Sequence, residues 1–75
     1  MEKKQLYNYL SSIFGISINK IKPDLKINSI RNWDSLKNMQ LIFFLEKKIN
    51  RNLTNKEINK IKIVKNIERL INNEE

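Results

Sequence analysis

Apolar residues recur along the chain at helical spacing, in blocks separated by polar, turn-forming connections. Leu6, Leu10 and Ile13 form the first stripe, flanked by Tyr7 and Phe14. Lys3, Lys4, Asn8 and Ser11 fall mainly on the other side, so the pattern predicts an amphipathic helix over residues 2–14. Gly15, the only glycine, stands just past the last periodic residue, where a left-handed C-terminal cap needs it.

The next stretch, residues 16–33, lacks a clear period. Pro23 breaks any regular element, and Ile16 and Ile18 alternate as a short strand does but have no partner strand nearby. The expectation is a long loop held by buried anchors, Ile16, Ile18, Ile21, Leu25, Ile27 and Ile30. Loops of this length in compact domains have a function or contain a short helical turn. This one leads to Trp33 and Ser35.

Residues 35–50 predict the second and most apolar helix. Leu36, Met39, Leu41, Ile42, Phe43, Phe44, Leu45 and Ile49 are too many for one narrow stripe, which implies a central helix touching several neighbours. It should run about 22 Å. Lys47, Lys48 and Arg51 stand at its end, where cations complement the helix dipole. Residues 50–55 form a polar connection anchored by Leu53. Thr54 or Asn55 then caps a short helix over about residues 55–61, and Thr54 to Glu57 has capping-box spacing. Ile58 and Ile61 are its buried side. A last helix over residues 63–72 places Ile63, Val64, Ile67, Leu70 and Ile71 on one face, before a fraying polar tail of residues 72–75. These elements predict an all-α fold in a single domain, residues 1–75. It is a small antiparallel four-helix bundle of three main helices and one short helix, with a long first loop.

Composition narrows the chemistry. A chain of 75 residues has a marginal core and needs an economical fold. It has no Cys and no His, which removes disulfides, thiolate metal sites, the usual nucleophilic triads and the commonest general base. No Gly-rich phosphate loop is possible, and no known metal-ligand spacing is present. Asp34, Glu46, Glu57 and Glu68 are scattered rather than paired, each most simply a surface charge or a cap. The chain is therefore not expected to be an enzyme. The net charge of +7 suggests a nucleic-acid or anionic-membrane partner, yet the lysines are spread along the whole chain with only short pairs. A solvated surface in a Lys-, Asn- and Ile-rich chain explains them better. No apolar run approaches the roughly 20 residues that span a bilayer, and Tyr7, Asn8, Tyr9, Ser11 and Ser12 interrupt any signal-peptide core. A cytoplasmic location is expected.

Trp33-Asp34-Ser35-Leu36 is the one constellation left. A serine there sits at a helix N-terminus, exposed, beside unpaired backbone N–H groups that suit a phosphate. The plain alternative is that Asp34 and Ser35 only cap the helix, worth about 1 kcal/mol.

This stretch, with the following helix and its Leu41-Ile42, Leu45-Glu46 and Ile49, resembles the acyl and peptidyl carrier proteins. Leu53-Thr54-Asn55-Lys56-Glu57, Ile61, Ile63-Val64 and the segment from Ile67 to Ile71 extend the resemblance over essentially the whole chain. The resemblance implies that Ser35 receives a 4′-phosphopantetheine arm from a separate phosphopantetheinyl transferase. Acyl or aminoacyl groups would ride on the arm as thioesters, supplied by a loading ligase and passed to downstream transferases. Leu41, Phe44, Leu45, Ile58, Ile61 and Ile67 are candidates for lining an acyl shelter, or are ordinary core. Asp34, Leu36, Lys37, Met39 and Gln40 are the expected docking residues. The protein is expected to be a monomer without a nucleic-acid or membrane partner.

The chain departs from the fatty-acid type of the family. That type is acidic after the serine, whereas Lys37, Asn38, Gln40, Lys47 and Lys48 stand here. It usually has glycine two residues before the aspartate, where this chain has Asn32. A Trp-Asp-Ser-Leu form looks more like carriers of polyketide, nonribosomal-peptide or surface-sugar biosynthesis than of general fatty acid biosynthesis. The rival expectations are a small basic helical module that binds nucleic acid, using Lys56, Lys60, Lys62, Lys65 and Arg69, and a plain protein-interaction domain.

Overall fold

Local capping chemistry sets the helix ends. The computed structural model describes residues 2–74 and contains helices α1 (Lys3–Phe14), α2 (Ser35–Ile49), α3 (Asn55–Lys60) and α4 (Val64–Glu74). Gly15 closes α1 in the left-handed region (φ 71°, ψ 31°), its N–H donating to the Ser11 carbonyl. Asn50 closes α2 the same way (φ 61°), a role that Asn tolerates better than other side chains. At α3 the capping box forms: the Glu57 N–H donates to Thr54 Oγ1 and the Thr54 N–H donates to the Glu57 carboxylate. At the start of α4, Asn66 Oδ1 accepts from the Lys62 and Ile63 N–H groups, both at 3.0 Å. The helix runs through Glu74, so most of the expected fraying tail is helical; Glu75 lies outside the described residues.

The long connection is neither a strand nor a featureless loop. Two 3₁₀ turns, Ile18–Lys20 and Ile27–Ser29, punctuate it. Between them, and at the first residue of the second, the chain is stitched to the start of α4. Lys26 and Ile63 form an isolated antiparallel bridge. The Ile27 N–H donates to the Lys62 carbonyl (3.0 Å), and the Val64 N–H to that of Leu25 (3.1 Å). The Lys65 N–H donates to the Pro23 carbonyl (2.8 Å). These bonds satisfy loop backbone that helical pairing cannot reach.

One core joins the four helices. Leu10, Leu41, Leu45, Val64 and Ile67 are fully buried, with Leu6, Phe14, Ile21, Ile27, Ile30, Leu53 and Ile71 around them. The Cα radius of gyration is 11.4 Å, matching the about 11 Å expected of a folded chain this long. Of the loop anchors, Ile21, Ile27 and Ile30 are buried and Ile16 and Leu25 are half-buried against the core. Ile18 is a correction: it opens a 3₁₀ turn at the surface and stays exposed, while Ile21, which closes that turn, takes the inward place. Ile58, Ile61, Ile63 and Leu70 are also half-buried rather than fully inside. A second correction concerns Phe43. α2 packs on α1 and α4, but Phe43 faces outward beside Leu36 and Met39, two of the expected docking residues, so one face of this apolar helix is uncovered.

Candidate functional site

The turn before α2 is fixed residue by residue. Asn32 adopts φ 64°, a left-handed conformation that Gly and Asn accept and that bulky or β-branched residues resist. Trp33 follows, half-buried. Its N–H donates to the Ile30 carbonyl at 3.1 Å, and its indole meets Phe14 at the end of α1. Asp34 is the N-cap in extended backbone (φ −141°, ψ −178°), its Oδ1 accepting from the Lys37 N–H at 2.9 Å. Its own carbonyl accepts from the Asn38 N–H.

Ser35 is thus the first residue of α2, and it is exposed. The N–H groups of Ser35 and Leu36 belong to the first turn and have no intrahelical acceptor. They sit at the positive end of a 15-residue helix. Asp34 serves as the cap, so the Ser35 hydroxyl is not needed for capping. That separates the two roles that the sequence left combined.

An open groove of about 460 Å³ begins at Ser35 and passes between α2 and α3. Trp33, Asp34, Asn38 and Met39 line one side; Ile58, Asn59, Ile61 and Lys62 line the other, with Asn28 at the end. Its lining combines the amides of Asn28, Asn38 and Asn59, apolar side chains, one carboxylate and one lysine. Leu41, Leu45 and Ile67, candidates for an acyl shelter, are packed shut in the core, whereas Ile58 and Ile61 border this groove.

No family model fits the chain, and no curated protein is significantly similar to it.

The expected docking residues divide by location. Asp34 and Met39 share the groove with Ser35, whereas Gln40 lines a different groove between α1 and α2. Leu36 is 64 % exposed beside Ser35. Lys37 is only half-exposed, its backbone N–H held by Asp34. Sequence reasoning did not place Asn28, Asn59 or Lys62 near Ser35, since that proximity comes from the packing of α3 and the loop, whereas Asn38 lies one turn along α2 from Ser35. Phe43 was read as part of a central helix touching several neighbours, yet it is exposed.

The scattered acids have structural work. Glu46 accepts from the Leu53 N–H at 2.7 Å, pinning the connection after α2. Glu57 is bound by Arg51, and Glu68 accepts from the Tyr7 hydroxyl at 3.2 Å. Among the described residues no cluster of His, Cys, Asp or Glu could hold a metal ion, and no helix is long and apolar enough to cross a membrane.

Proposed function

We propose that this chain is a carrier protein of a specialised biosynthetic pathway, with Ser35 as the attachment point for 4′-phosphopantetheine. The observation that carries the reading is the exposed Ser35 hydroxyl at the first position of α2, spared from capping by Asp34 and opening onto the α2–α3 groove. The resemblance of Trp33-Asp34-Ser35-Leu36 and the helices after it to carrier proteins supports the same assignment. So does Asn32, whose positive φ stands where the fatty-acid type has glycine.

In this reading the protein is a shuttle rather than an enzyme. A phosphopantetheinyl transferase supplies the catalytic groups. The Ser35 oxygen attacks the pantetheine-side phosphorus of coenzyme A, the pyrophosphate bond breaks, and adenosine 3′,5′-bisphosphate leaves. The serine proton passes to a base of the transferase. The first-turn N–H groups of α2 would hold the phosphodiester, with Lys62 on the groove wall as a cation for it. Asn28, Asn38 and Asn59 offer amide partners to the arm, and Met39, Ile58 and Ile61 offer apolar contact. The arm supplies the thiol on which acyl or aminoacyl groups are carried between a loading ligase and downstream transferases. The absence of cysteine from the chain is no obstacle. The antiparallel four-helix arrangement, a cytoplasmic location and a monomeric state belong to the same reading.

The test is intact-mass measurement after incubation with coenzyme A, Mg²⁺ and a permissive phosphopantetheinyl transferase. One arm is expected on the wild-type protein and none on Ser35→Ala. Failure with several transferases, or an adduct that survives Ser35→Ala, overturns the assignment.

A further inference from the structure

The uncovered face of α2 continues away from Ser35 into a second groove. Leu36, Met39 and Phe43 lie on one side of the helix at 64 %, 51 % and 61 % exposure. Beyond Phe43 an open groove of about 770 Å³ runs between α1 and α2. The Phe44 ring stacks on Tyr9 within it, with centroids 3.5 Å apart and planes 10° from parallel. Lys47 and Lys48 stand on its rim, Lys48 Nζ lying 5.8 Å from the Phe44 ring centroid. No carboxylate lines the groove, and neither lysine has an ion-pair partner among the described residues. The surface therefore combines a concave aromatic floor, an apolar shoulder and uncompensated positive charge.

We propose that this α1–α2 groove, with Phe43 as its shoulder, is a docking surface for an acidic protein segment bearing an aromatic or aliphatic side chain. On the carrier reading, on which this assignment rests, the segment belongs to an enzyme that loads or discharges the arm. Charge complementarity selects the partner: Lys47 and Lys48 attract carboxylates and repel a basic surface. Concavity favours an inserted side chain over a flat bilayer. A bilayer laid along Leu36 and Met39 would also cover the Ser35 side of the helix. A second copy of this chain is a poor occupant, because two copies would bring the same lysines together.

Two synthetic helical peptides test the assignment. Both carry a Phe/Leu face; one flanks it with glutamates and the other with lysines. Binding is read by ¹⁵N–¹H chemical-shift perturbation and titration on the full chain. The glutamate peptide is expected to perturb Tyr9, Gln40, Phe43 and Lys47, and the lysine peptide is expected not to bind. Affinity should fall roughly tenfold in Lys47→Glu/Lys48→Glu and in Phe43→Ser, both folded by circular dichroism. It should also weaken as salt rises. Ser35→Ala should bind the peptide unchanged, which separates this result from attachment of the arm. If the arm attaches but the glutamate peptide does not bind, the docking assignment alone falls. Equal binding of both peptides, perturbations confined to other surfaces, or tighter binding to phosphatidylglycerol vesicles than to the glutamate peptide also overturns it.

Discussion

The Trp33 indole meets the Phe14 ring edge-to-face, with centroids 5.3 Å apart and planes at 81°. This contact ties the turn that presents Ser35 to the end of α1, although 18 residues of connection lie between the two rings. Trp33→Ala should lower unfolding stability by about 2 kcal/mol, through lost aromatic packing and a partly filled cavity. It should also slow modification of Ser35 by the transferase. Trp33→Phe should lose less of both. Urea denaturation and initial rates of arm attachment measure the two effects.

Asp34 performs the capping, so its effects should be separable from those of Ser35. Asp34→Ala should cost about 1 kcal/mol in urea denaturation, whereas Asp34→Asn should restore most of the loss, because an amide oxygen can also accept the Lys37 N–H. Ser35→Ala should leave stability within about 0.5 kcal/mol of wild type. If Ser35→Ala is the more damaging of the two, the hydroxyl has a structural role.

Asn32 tests the turn's backbone. Asn32→Gly should be nearly neutral because glycine accepts positive φ readily. Asn32→Val should destabilise by roughly 1–2 kcal/mol, since a β-branched side chain resists that region. Thermal melts of the two variants give the comparison directly.

In acid, the α3 cap should be a point of weakness. The Arg51 guanidinium donates to both Glu57 carboxylate oxygens, at 2.9 and 2.7 Å, and the Thr54 N–H adds a third bond. Arg51 first, then Thr54, holds the carboxyl down from 4.5 to about 2. A depressed carboxyl contributes stability above its unfolded value, and that contribution fades as pH falls from 4.5 towards 2. Urea midpoints measured across this window should fall less steeply in Glu57→Gln than in wild type.

At the alkaline end the sign reverses. Burial, followed by the charge of Glu68 and the hydrogen bond to it, pushes the Tyr7 phenol up from 10.0 to about 12. The unfolded chain then ionises first, so the contribution is intact below pH 10.0 and is lost as pH rises towards 12. Tyr7→Phe should remove this step from the pH profile of the urea midpoint.

Much of this architecture was legible in the residues because it is set locally. Gly15, Thr54 and Glu57 announce helix ends through chemistry that needs no distant partner, and Leu10, Leu45 and Ile67 announce a core through spacing. What escaped was long-range. Apolar periodicity could not show that Phe43 faces outward, since nothing in its spacing differs from that of Ile42 and Leu45. Pairing of the loop with residues 62–65 joins segments about 40 positions apart and leaves no local trace. Ser35 was found from its own neighbourhood, whereas Lys62 and Asn59 beside it were not, because their approach depends on that pairing and on α3.

The stitching of Pro23, Leu25 and Ile27 to Lys62, Val64 and Lys65 also has a consequence in time. During synthesis α1 and α2 can form as soon as they emerge, but the segment that leads into the Ser35 turn gains these hydrogen bonds only after residues 62–65 have followed. A nascent chain stopped within α3 therefore carries the serine without the bonds that steady its approach. The turn that presents Ser35 matures late, from the far end of the chain backwards.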